Sequence, residues 1–262
     1  AGIDTDIKIA VIDTGINLNH EVFIDRVDTS LAKNYITIDN NVEDTNGHGT
    51  EVAGIIAEST SSNVKIVPIK VMNDLHNYDF NTMYRIKTAI EDVNNKVDII
   101  VIGFEILSSE LNYYSTDENE KSELLNGFFQ PVFASSDVLI VCSSGDSSGS
   151  LQYPASLNNM LVAASVDKDN QRASDSCFGD NVLFALPGVD LKVPDYSNNS
   201  GYVTKSSSDY SAGFLASSIA LVKSENPSYN KEQIINVLKD NSIDLGDSGK
   251  DNYYGYGSID FN

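Results

Sequence analysis

Three short segments carry side chains whose types could do acid–base or nucleophilic chemistry. Asp13 opens an Asp-Thr-Gly turn directly after an apolar run, and His48 lies in Asn-Gly-His-Gly-Thr before an apolar helix. Residues 143–146, Ser-Ser-Gly-Asp, follow another apolar run. Each segment taken alone is also typical of a turn, where Asp, Ser and Gly are common. Glycine on both sides of His48 allows another backbone to approach it closely.

The elements that must position these side chains alternate along the chain. Short, continuously apolar runs are typical of buried parallel strands, and we expect strands at residues 8–12, 64–71, 99–104, 138–142 and 160–166. Helical spacing of apolar residues predicts helices at residues 49–57, 82–94, 212–224 and 231–240. This alternation predicts a doubly wound α/β fold, and we expect one domain over residues 1–262. Ligand sites in such folds lie beyond the carboxyl ends of the strands, where Asp13 falls.

Composition excludes several classes of protein. The 262 residues include 38 Asp and Glu against 17 Lys and Arg, which gives a formal net charge of −21. Nucleic acid and anionic membrane surfaces are disfavoured as partners, because both are bound by clustered Lys and Arg. No apolar run approaches the roughly 20 residues of a membrane-spanning helix. Cys142 and Cys177 are too few for a disulfide framework, and buried free thiols are the simplest expectation.

Taken together, the motifs resemble the subtilisin family of serine proteases, peptidase family S8. His48 follows Asp13 by 35 positions and lies in Gly-His-Gly-Thr-x-x-Ala-Gly. Further stretches match over nearly the whole chain, at residues 67–71, 95–100, 169–174, 185–189 and 254–257. The resemblance implies a subtilisin-like three-layer αβα fold with a central, mostly parallel sheet. It also implies triad chemistry, in which His48, oriented by Asp13, takes the proton of a Ser that attacks a peptide carbonyl.

The family's Gly-Thr-Ser nucleophile motif is altered in this chain. When the register is fixed downstream on residues 219–222 and Pro227, Asp209 falls at the nucleophile position. Ser207 and Ser208 then occupy the Gly-Thr positions. A carboxylate has no proton for a His base to remove at neutral pH, so the substitution is chemically adverse. The alternative interpretation is that Asp209 only caps a helix, since an acid suits the positive end of the helix dipole.

The residues that line the family's cleft are altered as well. The oxyanion-binding Asn of the family aligns with Asp146, and a charge there would repel a developing oxyanion. The other positions expected to bind substrate are Ser144, Gly145, Gly103, Phe104 and Glu105, the last three at the family's Ser-Leu-Gly. Main-chain pairing with a peptide could survive these changes. The Phe and Glu side chains would reshape the cleft.

Several carboxylates should therefore surround one histidine. We expect Asp13, Asp209 and Asp146 to hold His48 protonated more firmly than a free imidazole, because nearby negative charges favour the cation. A cleft this acidic should take a neutral or basic ligand.

Two functions remain open at this point. The first is an inactive domain, a pseudoprotease, that binds a peptide or protein in the cleft, such as a pro-segment or a partner protease. The second is an active serine endopeptidase that uses Ser208 with His48 and Asp13. The resemblance also allows calcium as a cofactor and slightly favours a secreted or cell-envelope location. No metal ligands can be assigned, because residues 39–45 and 71–80 match the family only loosely.

Overall fold

A seven-stranded parallel sheet forms the centre of the fold. The structure, a computed structural model, describes residues 6–75, 79–134 and 138–261. In chain order the strands are β1 (Ile7–Asp13), β2 (Lys33–Asn34), β3 (Val64–Lys70), β4 (Ile99–Ile102), β5 (Leu139–Ser143), β6 (Leu161–Val166) and β7 (Val182–Pro187). They pair in the order β2-β3-β1-β4-β5-β6-β7, and every pair is parallel.

Helices cover both faces of this sheet. They are α1 (His48–Ser59), α2 (Phe80–Val93), α3 (Glu118–Ala134), α4 (Ser208–Glu225) and α5 (Lys231–Asp240). Apolar side chains of α1, α4 and α5 share one buried core with one face of the sheet. Side chains of α2 and α3 share a second core with the other face. The result is a three-layer α/β architecture, as the sequence predicts.

The strand pattern explains why both faces are apolar. Along β1, Ile9 and Val11 belong to the core under α1 and α4, whereas Ala10 and Ile12 belong to the core under α2 and α3. Successive side chains of a strand point to opposite faces, so a strand buried on both sides must be continuously apolar. Two small antiparallel pairs lie outside the main sheet: β8 (Leu191–Pro194) with β9 (Tyr202–Lys205), and β10 (Ser242–Ile243) with β11 (Ser258–Ile259).

The five predicted strands are confirmed, and two helices differ from expectation. The sequence pattern predicts neither the edge strands β2 and β7 nor α3. Acidic residues in the first turn of α3 and Pro131 within it obscure an apolar face that includes buried Leu125 and Phe129. Helix α4 begins at Ser208 rather than at residue 212, which places Asp209 in its first turn. Within the described ranges, no helix combines the length and apolar character needed to cross a membrane.

Candidate active site

The side chains with catalytic chemistry come from elements that meet at the carboxyl edge of the sheet. Asp13 is the last residue of β1, His48 is the first residue of α1, and Asp209 lies in the first turn of α4. Ser143 is the last residue of β5. Because β1, β4 and β5 are neighbours and run parallel, their carboxyl ends lie side by side.

Close backbone packing brings the imidazole to the first strand. A Cβ atom on Gly49 would lie 2.2 Å from the carbonyl oxygen of Gly15 and 3.1 Å from the Cβ of Asp13. Only glycine fits there, and its neighbour His48 is thereby held against Asp13. The expectation that the glycines beside His48 permit a close approach is confirmed at Gly49.

Asp44 fixes the start of α1 and was missed by the sequence analysis. Its Oδ1 accepts hydrogen bonds from the Gly47 N–H at 2.9 Å and from the Thr14 hydroxyl at 3.0 Å. Its Oδ2 accepts from the Thr50 N–H at 3.0 Å and from the Thr50 hydroxyl at 2.6 Å. These bonds satisfy free N–H groups at the helix N-terminus. An Asp three residues before Gly47, ahead of an apolar helix, is the signal that could have identified it.

The three buried groups Asp13, His48 and Asp209 form a continuous chain of contacts. Nδ1 of His48 lies 2.9 Å from Oδ1 and 3.0 Å from Oδ2 of Asp13. Nε2 of His48 lies 3.1 Å from Oδ2 of Asp209. The imidazole is therefore flanked by a carboxylate on each nitrogen, and only 8% of His48 is exposed.

The two carboxylates control the protonation of His48. Burial by itself lowers the pKa of His48, but the negative charge and hydrogen bond of Asp13, with those of Asp209, outweigh it. The net effect raises the pKa well above the ordinary value of 6.5. This direction agrees with the expectation from the sequence. An imidazole that keeps its proton at neutral pH is a poor general base.

Two serines hold the carboxylate of Asp209 in place. The hydroxyl of Ser143 donates to Oδ1 of Asp209, and the hydroxyl of Ser207 lies 3.1 Å from Oδ2. Ser207 also caps α4, since its oxygen accepts the N–H of Asp209 at 3.1 Å. The expectation that Asp209 caps the helix is wrong, since Ser207 is the cap; Asp209 lies in the first turn, at the positive end of α4, and contacts His48.

Asp146 accepts hydrogen bonds where a catalytic site would need to donate them. Its Oδ1 accepts the N–H of Ser208 at 2.8 Å, and its Oδ2 accepts the hydroxyl of Ser207 at 2.7 Å. Burial, and then the charge of Asp209, raise the pKa of Asp146 to about 6. The carboxyl group is therefore largely ionised at neutral pH.

Glu105 places a further carboxylate beside this group. Its Oε1 accepts the N–H of Asp146 at 3.1 Å, and its Oε2 lies 3.4 Å from the hydroxyl of Ser147. A Cβ atom on Gly145 would lie only 2.1 Å from Oε2, so the Glu105 side chain covers the face of that glycine. Burial raises the pKa of Glu105 to about 7, with further contributions from Asp209 and Asp146.

The remaining substrate-binding candidates do not present side chains to the cleft. Phe104 is buried in the core shared with α2 and α3, so the expectation that its ring reshapes the cleft is wrong. Ser144 is buried too, and its hydroxyl lies 3.0 Å from that of Ser176. Gly103 lies close to the triad, because a Cβ atom there would be 3.2 Å from Oδ2 of Asp13. Main-chain groups are what these residues can offer a ligand.

Ser208 is not the partner of His48. The residue is fully buried, and its hydroxyl makes no hydrogen bond within the described part of the chain. Its N–H donates a hydrogen bond to Asp146 at the start of α4. The atom that approaches Nε2 of His48 belongs to Asp209.

The described ranges contain no candidate metal site. There, no group of three or more His, Cys, Asp or Glu side chains is arranged to hold an ion. Residues 76–78, in one of the two segments considered for calcium, lie outside the described residues. The calcium expectation stays a prediction without assigned ligands.

Comparison with known proteins decides the family. The family model named Peptidase_S8, the subtilase family, matches residues 4–257. This chain is a subtilase. The matched range includes Asp13, His48, Asp146 and Asp209.

Relatives of this subtilase are extracellular and alkaline proteases. It is 28% identical to the minor extracellular protease Epr of Bacillus subtilis (strain 168), over 98% of this chain and 38% of the relative. It is 30% identical to an alkaline protease of Alkalihalobacillus alcalophilus, over 97% of this chain and 62% of that protein. The chain thus spans between about a third and two thirds of the length of these two relatives. Subtilisin Savinase of Lederbergia lenta is 29% identical and is covered to 88%.

Solved structures agree on the fold of this subtilase. A lanthipeptide protease superposes with a TM-score of 0.84 at 26% identity, covering 98% of this chain and 86% of the other. A cold-adapted subtilisin-like serine proteinase superposes with a TM-score of 0.76 at 22% identity, covering 98% and 87%. The domain is therefore subtilisin-like in sequence and in fold.

Proposed function

We propose that this subtilisin-like domain is a pseudoprotease, which binds a peptide or protein partner in its cleft without cleaving it. The observation that carries the proposal is the 3.1 Å contact between Nε2 of His48 and the carboxylate of Asp209. In the family mechanism that nitrogen takes the proton of a Ser hydroxyl. Asp209 has no proton to give when ionised, and it stabilises the protonated imidazole instead.

Loss of the nucleophile is the largest single deficit. Attack by the Asp209 carboxylate on an amide would give a mixed anhydride and not an ester. In subtilisin itself, removal of the nucleophilic Ser costs about 10⁶ in kcat.

The oxyanion hole is a second and independent deficit. The family supplies an Asn side-chain amide and a backbone N–H to the developing negative charge. Here the amide is replaced by the Asp146 carboxylate, and the N–H of Asp209 is already bound to the Ser207 hydroxyl. The neighbouring N–H of Ser208 is bound to Asp146. Losing one oxyanion donor costs roughly 10²–10³ in rate, and a negative charge in its place opposes the reaction further.

Peptide binding survives these changes more readily than catalysis. Recognition of an extended peptide at an exposed strand rests on main-chain hydrogen bonds, which substitution of side chains leaves in place. The segment after β5 keeps the family's glycine at Gly145, whereas Glu105 replaces the glycine of the family's Ser-Leu-Gly. A pro-segment or a partner protease would be a suitable occupant.

The proposal can be tested with a fluorophosphonate probe and a peptide-cleavage assay. We expect no labelling and no cleavage by the wild-type chain, and no gain from Asp209→Ser alone, because the oxyanion site stays negative. Asp209→Ser combined with Asp146→Asn should gain labelling, since it restores a hydroxyl and an amide donor. Ser224→Ala, at the far end of α4, serves as the matched control.

Labelling of the wild-type chain that disappears in Ser208→Ala would overturn the proposal. That result would establish the alternative, an active endopeptidase with Ser208 as nucleophile. Cleavage by the wild-type chain with any other nucleophile would overturn it equally.

A further inference from the structure

Glu51 is a buried acid on α1 that lies three residues after His48. Its carboxylate contacts two residues of the chain segment that carries Asp209. We infer that Glu51 is a positioning residue, which holds residues 205–210 so that the carboxylate of Asp209 meets His48. The inference deepens the proposed function and rests on it, because that contact is the observation that carries the pseudoprotease proposal.

Each carboxylate oxygen of Glu51 accepts one hydrogen bond from residues 205–210. The Tyr210 hydroxyl donates to Oε2 at 2.7 Å, and the ammonium group of Lys205 donates to Oε1. Lys205 is the last residue of β9 and Tyr210 lies in the first turn of α4, so the two donors lie on either side of the capping residue Ser207. One carboxylate on α1 therefore holds both ends of the segment that contains the nucleophile position.

Two contacts with α1 define the orientation of the first turn of α4. Asp209 contacts His48, and the next residue, Tyr210, contacts Glu51. Consecutive residues of a helix point about 100° apart. A single contact would let the turn rotate about it, whereas two contacts in different directions fix its rotation. The placement of the Asp209 carboxylate at Nε2 of His48 thus depends on the second contact.

Close packing surrounds this second contact. Glu51 is 3% exposed and Tyr210 is 1% exposed, so neither can exchange its partner for water. A Cβ atom on Gly213 would lie 3.0 Å from Cγ2 of Ile55, which shows that α1 and α4 pack tightly beside the pair. A buried carboxylate that loses its donor is costly. Movement of α4 away from Glu51 is therefore opposed.

Glu51 acts on His48 through Asp209. The ring nitrogens of His48 contact Asp13 and Asp209, and the carboxylate of Glu51 is balanced by the ammonium group of Lys205. Burial, and then the charge of Glu51, raise the pKa of Tyr210 well above its ordinary value of 10, so its hydroxyl keeps its proton and donates. The alternative is a purely structural role, in which Glu51 stabilises the fold without affecting Asp209.

A double-mutant cycle of Tyr210→Phe and Asp209→Asn separates these two roles, with the pKa of His48 measured by NMR titration. Tyr210→Phe removes one hydroxyl and changes no charge. We expect it to lower the pKa of His48 in the wild-type chain, because the Asp209 carboxylate moves away from Nε2. In Asp209→Asn it should have no further effect, because the charge through which it acts is already absent. Tyr84→Phe, at an exposed tyrosine of α2, is the matched control and should leave the pKa of His48 unchanged.

The rate of fluorophosphonate labelling gives a second measurement, in the variant that combines Asp209→Ser with Asp146→Asn. There the contact with Glu51 would position the new hydroxyl, and a misplacement of about 1 Å can cost roughly 10² in rate. We expect Tyr210→Phe to slow the labelling at least about tenfold. Glu51→Gln, which keeps an acceptor for the Tyr210 hydroxyl, should slow it less than Glu51→Ala.

The outcomes separate the inference from the proposed function. An unchanged pKa of His48 in Tyr210→Phe, or an equal fall in the wild-type chain and in Asp209→Asn, would overturn the inference and leave the pseudoprotease proposal standing. Equal labelling rates in Glu51→Gln and Glu51→Ala would also count against the inference alone. Peptide cleavage by the wild-type chain would overturn the proposed function whatever the cycle shows.

Discussion

At the centre of the site, one imidazole lies between two carboxylates. His48 keeps the orientation that Asp13 gives it, so the hydrogen bonds of a triad persist. What has changed is the direction of proton donation at Nε2, because Asp209 can only accept from it. At the scale of single residues, the orientation of the imidazole is therefore kept, and the group that faces its Nε2 is a carboxylate.

The protonation of His48 can be measured directly by NMR titration of its ring nitrogens. We expect His48 to titrate well above 6.5, because Asp13 and Asp209 both favour the cation. In Asp209→Asn the pKa should fall, since one of the two negative charges is removed. An ordinary or lowered pKa of His48 in the wild-type chain would contradict this account of the site.

At the scale of elements, the N-terminus of α4 organises the site. Ser207 caps the helix by accepting the N–H of Asp209, and its hydroxyl reaches the carboxylates of both Asp146 and Asp209. The positive end of the helix dipole lies beside the same two acids. A single capping residue thus links the nucleophile position to the oxyanion position.

Replacement of this cap should be costly. We expect Ser207→Ala to lower the free energy of unfolding by about 1–2 kcal/mol, because the cap is lost and the half-buried Asp146 carboxylate loses a hydroxyl donor. Ser224→Ala, near the end of the same helix, removes only a bond to the Leu221 carbonyl and should change stability by less than about 0.5 kcal/mol. Urea denaturation measures both. Equal effects of the two changes would show that Ser207 does not organise the site.

At the scale of the whole molecule, negative charge dominates, and the site concentrates some of it. Like charges over a compact chain repel one another and oppose folding. Elsewhere acids are stabilised by partners: the hydrogen bond from Lys8 holds the pKa of Asp28 at about 2. The pKa values of Glu105 and Asp146 are raised instead, so their ionised forms lower the stability of the folded protein.

The stability of the protein should therefore rise as the pH falls from about 8 to about 5. Glu105 and Asp146 have folded pKa values of about 7 and about 6 against ordinary values of 4.5 and 3.8, so protonation favours the folded state across those ranges. The raised pKa of His48 acts in the same direction, since its stabilisation is complete below 6.5 and is lost as the pH rises through its folded value. Below about pH 4, the contribution of acids such as Asp28 is lost.

Thermal denaturation across this pH range measures the effect. In Glu105→Gln, the melting temperature should increase less as the pH falls from about 8 to about 5, and it should be higher than that of the wild-type chain at pH 8. The melting temperature of Glu232→Gln, at an exposed acid of α5, should follow the wild-type profile. A melting temperature that falls between about pH 8 and 5, as the pH is lowered, would contradict the charge balance described for the site.

The fold and much of the site follow from local sequence. Local sequence predicts the apolar strands and the Gly-His-Gly turn, because each depends on residues close together in the chain. The family pattern adds the positions of Asp13, His48, Asp146 and Asp209. Helix α3 could not be predicted in this way, since acidic residues and Pro131 obscure the periodicity of its apolar face.

Tertiary packing determines which of these atoms come into contact. Sequence left both Asp209 and Ser208 as partners of His48, because they are adjacent along the chain. Folding separates them, since neighbouring residues of a helix point about 100° apart and the capping bonds of Ser207 fix the helix register. The enclosure of Glu105 against Gly145 likewise depends on two loops that only the sheet brings together. Residue identity determined which carboxylates are present at the site, and packing determined how their charges are arranged around His48.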